Sequence, residues 1–248
     1  MAGVALITGA SRGIGAATAR LAAARGIGVA VNYVNSAEAA EAVVGDCRAA
    51  GVQAIAVQGD VAVEDDVQRM FETTAAELGQ LTVLVNNAGI LHAQARLDSY
   101  PYGRLREVFD VNVIGAFLCA REAVLRMSTR HGGQGGSIVN VSSAASYLGS
   151  PDEYIDYAAS KGAIDTLTIG LAKEVGGEGI RVNAVRPGLI DTEIHASSGE
   201  PGRAARLSVT VPMQRVGTAD EVAATIMWLA SDEAGYVNGA IVNCSGGR

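Results

Sequence analysis

The chain has 248 residues, 49% of them apolar and 18% charged, with a formal net charge of −7. It is long enough to fill one large core, it carries no basic footprint for nucleic acid, and no apolar run reaches membrane-spanning length. Cys47, Cys119 and Cys244 form an odd set without metal-ligand spacing and read as buried structural thiols in a reducing cytosol; His92, His131 and His195 form no cluster and read as loop residues.

The first predicted strand is Val4-Ala5-Leu6-Ile7, and it leads into Thr8-Gly9-Ala10-Ser11-Arg12-Gly13-Ile14-Gly15. Residues 16–25 then read as helix. Strand, glycine loop and helix follow in the order a dinucleotide site requires, because glycines let the backbone turn tightly against a pyrophosphate whose charge sits on the free amides of the helix start. The glycine spacing differs from the common G-x-G-x-x-G fingerprint.

Residues 27–33 predict a second strand, whose end chooses between cofactors. An NAD site usually places Asp or Glu there to bind a ribose hydroxyl. This chain has Asn32-Tyr33-Val34-Asn35-Ser36, with no carboxylate before Glu38, which already reads as helix. A carboxylate would repel the 2′-phosphate of NADP, whereas Arg12 can pair with it, so NADP(H) is favoured over NAD(H).

A third strand precedes Asp60-Val61, and Val67, Met70, Phe71, Thr74, Ala75 and Leu78 then form an amphipathic helical stripe. Leu81-Thr82-Val83-Leu84-Val85 predicts another strand, closed by Asn86-Asn87-Ala88-Gly89; Ser137-Ile138-Val139-Asn140-Val141 predicts one that ends in Ser142-Ser143. Small and amide residues at such ends belong where open α/β sheets bind ligands, although serine there is also an ordinary cap or turn residue. One helical turn separates Tyr157 from Lys161, which places a phenol and an ammonium on one face. A nearby cation is expected to favour the phenolate and lower the tyrosine pKa. Thr218 and Glu221 make a capping box before a helix over residues 222–229. Alternating strands and helices, unbroken by linker or repeat, predict one α/β domain over 1–248 with a parallel sheet between two helix layers.

In this order the motifs resemble the short-chain dehydrogenase/reductase family. The resemblance rests on the Thr8 to Gly15 loop, Asn86 to Gly89, Asn112 within Val111-Asn112-Val113, the serines after a strand, Tyr157-x-x-x-Lys161 and Arg186-Pro187-Gly188, and it spans essentially the whole chain. It implies a doubly wound Rossmann fold of seven strands and hydride transfer between a nicotinamide and a carbonyl or alcohol carbon. Tyr157 would be the acid/base, Lys161 its activator and a ribose ligand, Ser143 the hydrogen-bond partner of the substrate oxygen, and Asn112 the holder of a water leading from Lys161 to solvent. Ser143 lies one residue farther from Tyr157 than in many relatives, so Ser142 remains a rival; Tyr154 is excluded because Ala158, not lysine, lies four residues beyond it. Cofactor contacts are implied at Gly9, Ser11, Arg12, Gly13, Ile14, Gly15, Asn35, Asp60, Val61, Asn87, Ala88, Gly89, Tyr157, Lys161, Pro187, Gly188, Ile190 and Thr192. No metal is implied.

Residues 190–215, with His195, Ser197, Gly199, Gly202, Arg203 and Arg206, read as a substrate lid, and Leu91, Ala145, Tyr147 and Leu148 as pocket walls. The resemblance suggests a 3-oxoacyl-type or general ketone reductase, with Arg126, Arg130 and Lys173 as docking cations for an acyl carrier protein. A glucose, sugar or secondary-alcohol dehydrogenase is the alternative, suggested by Gly149-Ser150-Pro151-Asp152-Glu153-Tyr154. A non-catalytic NADP sensor or scaffold is a reading from another class, and a nucleotide-binding methyltransferase shares the glycine loop but not the Tyr157/Lys161 pair. A cytoplasmic homotetramer paired through the helices around Asn112 and Tyr157, with no leader ahead of the first strand, completes the expectation.

Overall fold

A computed structural model describes residues 3–192 and 207–248. His195, Ser197, Gly199, Gly202, Arg203 and Arg206 lie outside the described residues. Along the chain run β1 (Val4–Ile7), α1 (Gly13–Ala24), β2 (Gly28–Tyr33), α2 (Ala37–Ala49), β3 (Ala54–Gln58), α3 (Glu64–Leu78) and β4 (Val83–Asn86). There follow α4 (Tyr102–Phe109), α5 (Gly115–Met127), β5 (Gly136–Val141), α6 (Ala145–Leu148), α7 (Ile155–Val175), β6 (Ile180–Pro187), α8 (Ala219–Ala230) and β7 (Ile241–Cys244).

The strands form one seven-stranded sheet in the order β3-β2-β1-β4-β5-β6-β7, with every pairing parallel. All four residues of β1 are buried, because helices cover both faces and leave no solvent side on which alternation could show. On one face the core runs through α1, α2 and α8, including Ala19, Ala23, Val44 and Ile226; on the other it runs through α3, α5 and α7, including Met70, Phe71, Ala123 and Val175. The order reverses between β1 and β4, which opens a crevice at the carboxyl ends of those strands.

Three elements differ from their sequence reading in ways that matter for the site. Helix α1 begins at Gly13, ahead of the predicted start at 16, and its first turn has neither a side-chain cap nor an acidic residue. Its amides are therefore left for an outside acceptor. In α3 the stripe buries Val67, Met70, Phe71 and Thr74, but Ala75 is exposed because the buried arc is narrower than the pattern suggested. Between α4 and α5 the chain makes a π-helical turn over Asp110–Ile114, and Asn112 sits inside it. Such turns are a recurrent feature of functional sites.

Candidate active site

Two stitched loops form the floor of the crevice. The Thr8 hydroxyl accepts the amides of Asn87 (3.0 Å) and Ala88 (2.9 Å), and the Asn87 side chain donates to the carbonyls of Thr8 (2.8 Å) and Gly9 (3.0 Å). Gly9 and Gly13 hold φ of +60° and +55°, a region that disfavours side chains. At Gly15 a Cβ would stand 2.6 Å from Asn87 Nδ2 and 2.7 Å from the Gly9 carbonyl oxygen, so the helix start can approach the loop only as glycine.

Above this floor lies a groove lined by Gly9 to Ile14 except Ala10, by Asn32 to Ser36, by Asp60 and Val61, and by Asn87 to Ile90. Asn32 is fully buried and structural: it accepts the Gly9 amide (3.0 Å) and donates to the Gly59 carbonyl (2.9 Å), tying the ends of β1, β2 and β3 together. Arg12 is exposed at the groove mouth, and among the described residues it has no carboxylate partner. Asp60 is turned to its own loop, accepting the Ala62 amide at 2.9 Å.

A second cavity adjoins the groove through Ile14, Asn87, Gly89 and Thr192, and it contains Ser142, Ser143, Tyr157 and Lys161. Ser143 lies within hydrogen-bonding reach of the Tyr157 hydroxyl. Ser142 instead turns inward, donating to the Lys161 carbonyl at 3.2 Å. The loop before Tyr157 makes a tight turn, where Ser150 and Asp152 flank Pro151 with φ of +45° and +60°.

Electrostatics correct one expectation. Burial pushes the Tyr157 phenol above its ordinary pKa, and the bond from Ser143 only partly offsets it; Lys161 does not draw it down. The reason is geometric: Lys161 Nζ donates to the Val141 carbonyl at 2.8 Å and lies 5.6 Å from the centre of the Tyr157 ring, over its face. Burial lowers the lysine itself to about 8, against the pull of Asp165. Asn112 accepts the Ile90 amide (2.8 Å) and donates to the Ile90 carbonyl (3.1 Å) and to Ser160 (3.1 Å), which fixes the π turn to the β4 loop and to α7. A Cβ on Gly89 would be 3.4 Å from Asn112 Oδ1 and 3.5 Å from Lys161 Nζ, so that loop passes tightly over both.

The remaining predicted residues divide. Leu91, Ala145, Leu148, Pro187, Gly188, Ile190 and Thr192 line the cavity. Tyr147 stands behind the wall with the Arg186 guanidinium 5.2 Å from its ring centre. Arg126 is engaged by Glu122, Arg130 lies 3.8 Å from Glu178, and Lys173 is exposed. Cys47 and Cys119 are buried, but Cys244 is only half-buried because β7 is an edge strand.

Residues 9–248 match a family model described as enoyl-(acyl carrier protein) reductase. The chain is 54% identical over 245 residues to an uncharacterized oxidoreductase, YgfF, of Escherichia coli, with 99% of each chain covered. It belongs to the short-chain dehydrogenase/reductase family. Other relatives in that family carry named activities. A 3-oxoacyl-[acyl-carrier-protein] reductase of Synechocystis is 40% identical over 250 residues, covering 98% of this chain and 96% of the relative. A cis-4-hydroxycyclohexanecarboxylate dehydrogenase of Sinomonas cyclohexanicum is 41% identical over 244 residues, with 98% and 95% covered. The crystal structure of a short-chain dehydrogenase from Burkholderia cenocepacia in complex with NADP superposes with a TM-score of 0.88 at 38% identity, covering 98% of this chain and 96% of that one.

In this short-chain dehydrogenase/reductase the sequence motifs mark only part of the site. Ser160, which holds Asn112, and Asp165, which holds Arg186 at 2.7 Å, were not legible as site residues because each acts through a partner distant in sequence. Arg248, which unlike those two lines the cavity itself, stands in no motif.

Proposed function

We propose that this oxidoreductase is NADP(H)-dependent and transfers a hydride between the nicotinamide and a carbonyl or secondary-alcohol carbon, acting foremost as a 3-oxoacyl-type or general ketone reductase. The observation that carries this reading is the meeting of Ser143, Tyr157 and Lys161 in one cavity that opens into the glycine-lined groove. The uncapped start of α1 and the glycine cradle at Gly9, Gly13 and Gly15 fit a pyrophosphate. Gly9 to Gly15, Asn35, Asp60, Val61, Asn87 to Gly89, Pro187, Gly188, Ile190 and Thr192 would hold the dinucleotide, with Arg12 facing a 2′-phosphate. When bound, the nicotinamide supplies or takes up the hydride.

Tyr157 gives its proton to the carbonyl oxygen as negative charge develops there; burial raises its pKa, so it is protonated at neutral pH but is a weaker acid than a free tyrosine. The Ser143 hydroxyl donates to the same oxygen, in a cleft where such bonds count for more than in water. Lys161, anchored on Val141 with its ammonium over the face of the Tyr157 ring, would hold the nicotinamide ribose, and Asn112 would hold the water through which the proton is replaced. Run backwards, the same residues oxidise a secondary alcohol; the Sinomonas relative, named as a dehydrogenase of a ring alcohol, favours keeping that direction as the second reading.

The acyl-carrier docking surface rests on the exposed Arg130 and Lys173, since Arg126 is spent on Glu122. A cytoplasmic homotetramer is consistent with the free thiols and with exposed Ile114, Phe117 and Leu125 in and before α5 and Ile169 on α7. Residues 190–215 serve as the substrate lid of the single domain.

The test is oxidation of NADPH and of NADH at 340 nm with 3-oxoacyl thioesters, ketones and aldoses, for the wild type and Tyr157→Phe. Turnover with NADPH should fall by about 10²–10⁴-fold in the variant. NADPH binding with no turnover on any of these would support a sensor, and a preference for NADH would overturn the role of Arg12.

A further inference from the structure

Among the described residues, the lining of the cavity around Tyr157 has a charge balance that differs from that of the chain. The protein has 26 acidic and 19 basic residues, yet among the described residues no Asp or Glu lines this cavity. Leu91, Ala145, Leu148 and Leu189 give it apolar walls, and among the described residues its lining includes the cations Lys161 and Arg248. Lys161 is anchored on the Val141 carbonyl. Nearby cations are also engaged: Arg186 pairs with Asp165 at 2.7 Å, and Arg215 with Glu221 at 2.5 Å.

Arg248 differs from these. Its main chain is pinned at the cavity rim, where its oxygen accepts the Ser245 hydroxyl at 2.8 Å and the Tyr147 hydroxyl as well. Gly246 and Gly247 bring the chain back to that rim with φ of +64° and +91°, conformations that L side chains rarely adopt. A Cβ on Gly246 would also stand 2.8 Å from Val211 Cγ1. Among the described residues no Asp or Glu side chain pairs with the Arg248 guanidinium. A guanidinium offers only donors and keeps its charge, so its complement is an anion, and a planar carboxylate matches its fork.

We infer that Arg248 is a specificity-determining residue that receives the carboxylate of an oxo acid whose keto group is reduced at Tyr157, or of the corresponding hydroxy acid. The inference rests on the reductase reading above. Hydride adds to the keto carbon, the proton passes from Tyr157 to the oxygen, and the carboxylate is unchanged, serving only for recognition. A neutral analogue lacks the charge that the Arg248 guanidinium would pair with, so the acid should be favoured over it.

The experiment compares kcat/KM for 4-oxopentanoate and 5-oxohexanoate with that for their methyl esters, using NADPH, in the wild type and in Arg248→Met, with thermal unfolding to confirm that the variant is folded. The wild type should favour at least one acid over its ester by about tenfold or more, and R248M should remove that preference chiefly through KM for the acid. A wild type that treats acid and ester alike, or a preference that survives R248M, overturns the inference while leaving the reductase reading intact. Failure of the wild type to oxidise NADPH with any carbonyl compound overturns the reductase reading itself.

Discussion

Helices α3 and α7 lie on the same face of the sheet and each buries one side, yet the buried sides have opposite chemistry. Helix α3 turns Val67, Met70 and Phe71 inward. Up to Thr168, α7 buries Asp156, Ser160, Lys161, Asp165 and Thr168 beside the apolar Ala158 and Ile164. Each of these polar groups is met from another element: Asp156 by Arg104 at 2.6 Å, Ser160 by Asn112, Lys161 by the Val141 carbonyl, Asp165 by Arg186, and Thr168 by Asn140 at 2.9 Å. Burial without partners would be costly, so the polar face of α7 exists only because β5, β6 and the α4–α5 region supply them. Helix α7 contributes Tyr157 and Lys161 to the cavity, whereas α3 contributes no residue to it.

The comparison can be broken most severely at its two anchors. Asp156→Ala should destabilise the protein by about 3–5 kcal/mol, because Arg104 is left as an unpaired buried charge. Arg104→Met combined with Asp156→Leu should recover much of that stability in urea unfolding. Recovery of full activity by the double variant would show that the pair does not position Tyr157, the next residue in the chain. Asp156 is held below its ordinary pKa by Arg104 despite the opposing effect of burial, so the pair is ionised at neutral pH.

Phe71→Ala should cost a similar amount, about 3–5 kcal/mol at the upper end for a fully buried ring, through the cavity it leaves. Here kcat, measured well below the midpoint of unfolding, should stay within about twofold of the wild type, since α3 contributes no residue to the cavity of Tyr157. A large loss of kcat with the fold intact would erase the distinction between the two helices.

The smallest effect is a pH limb. Lys161 titrates at about 8, so its charge is present below that pH and lost above it, while the raised Tyr157 retains its proton over the same range. In the reductive direction kcat/KM should therefore fall as pH rises through about 8, and Lys161→Met should show a lower but flat profile there. A wild-type profile flat to pH 10 would mean that the lysine charge plays no part in the rate-limiting step.

Much of the architecture was legible beforehand, for local reasons. Val4 to Ile7 is apolar throughout because both faces of a parallel sheet are covered, and the Thr218–Glu221 box is present with both reciprocal bonds. The glycine loop and the Tyr157/Lys161 spacing could be read because a tight turn and a helical face are properties of adjacent residues. The tuning of Tyr157 could not, since spacing gives the face that Lys161 shares but not which acceptor captures its ammonium. Nor could the placement of Ser143 rather than Ser142 near the hydroxyl, since Ser142 turns inward to the Lys161 carbonyl only in the folded chain.

By itself, then, the sequence determined the order of strands and helices, the glycine cradle and the residue types available for proton transfer, all of which follow from short-range sterics and periodicity. The tertiary structure decided which groups face one another: Lys161 on Val141, Asn112 on Ile90 and Ser160, and Arg248 at the cavity rim between Tyr147 and Ser245. Such pairings join residues far apart in the chain, and their energies arise only when burial removes the water that would otherwise satisfy each group alone.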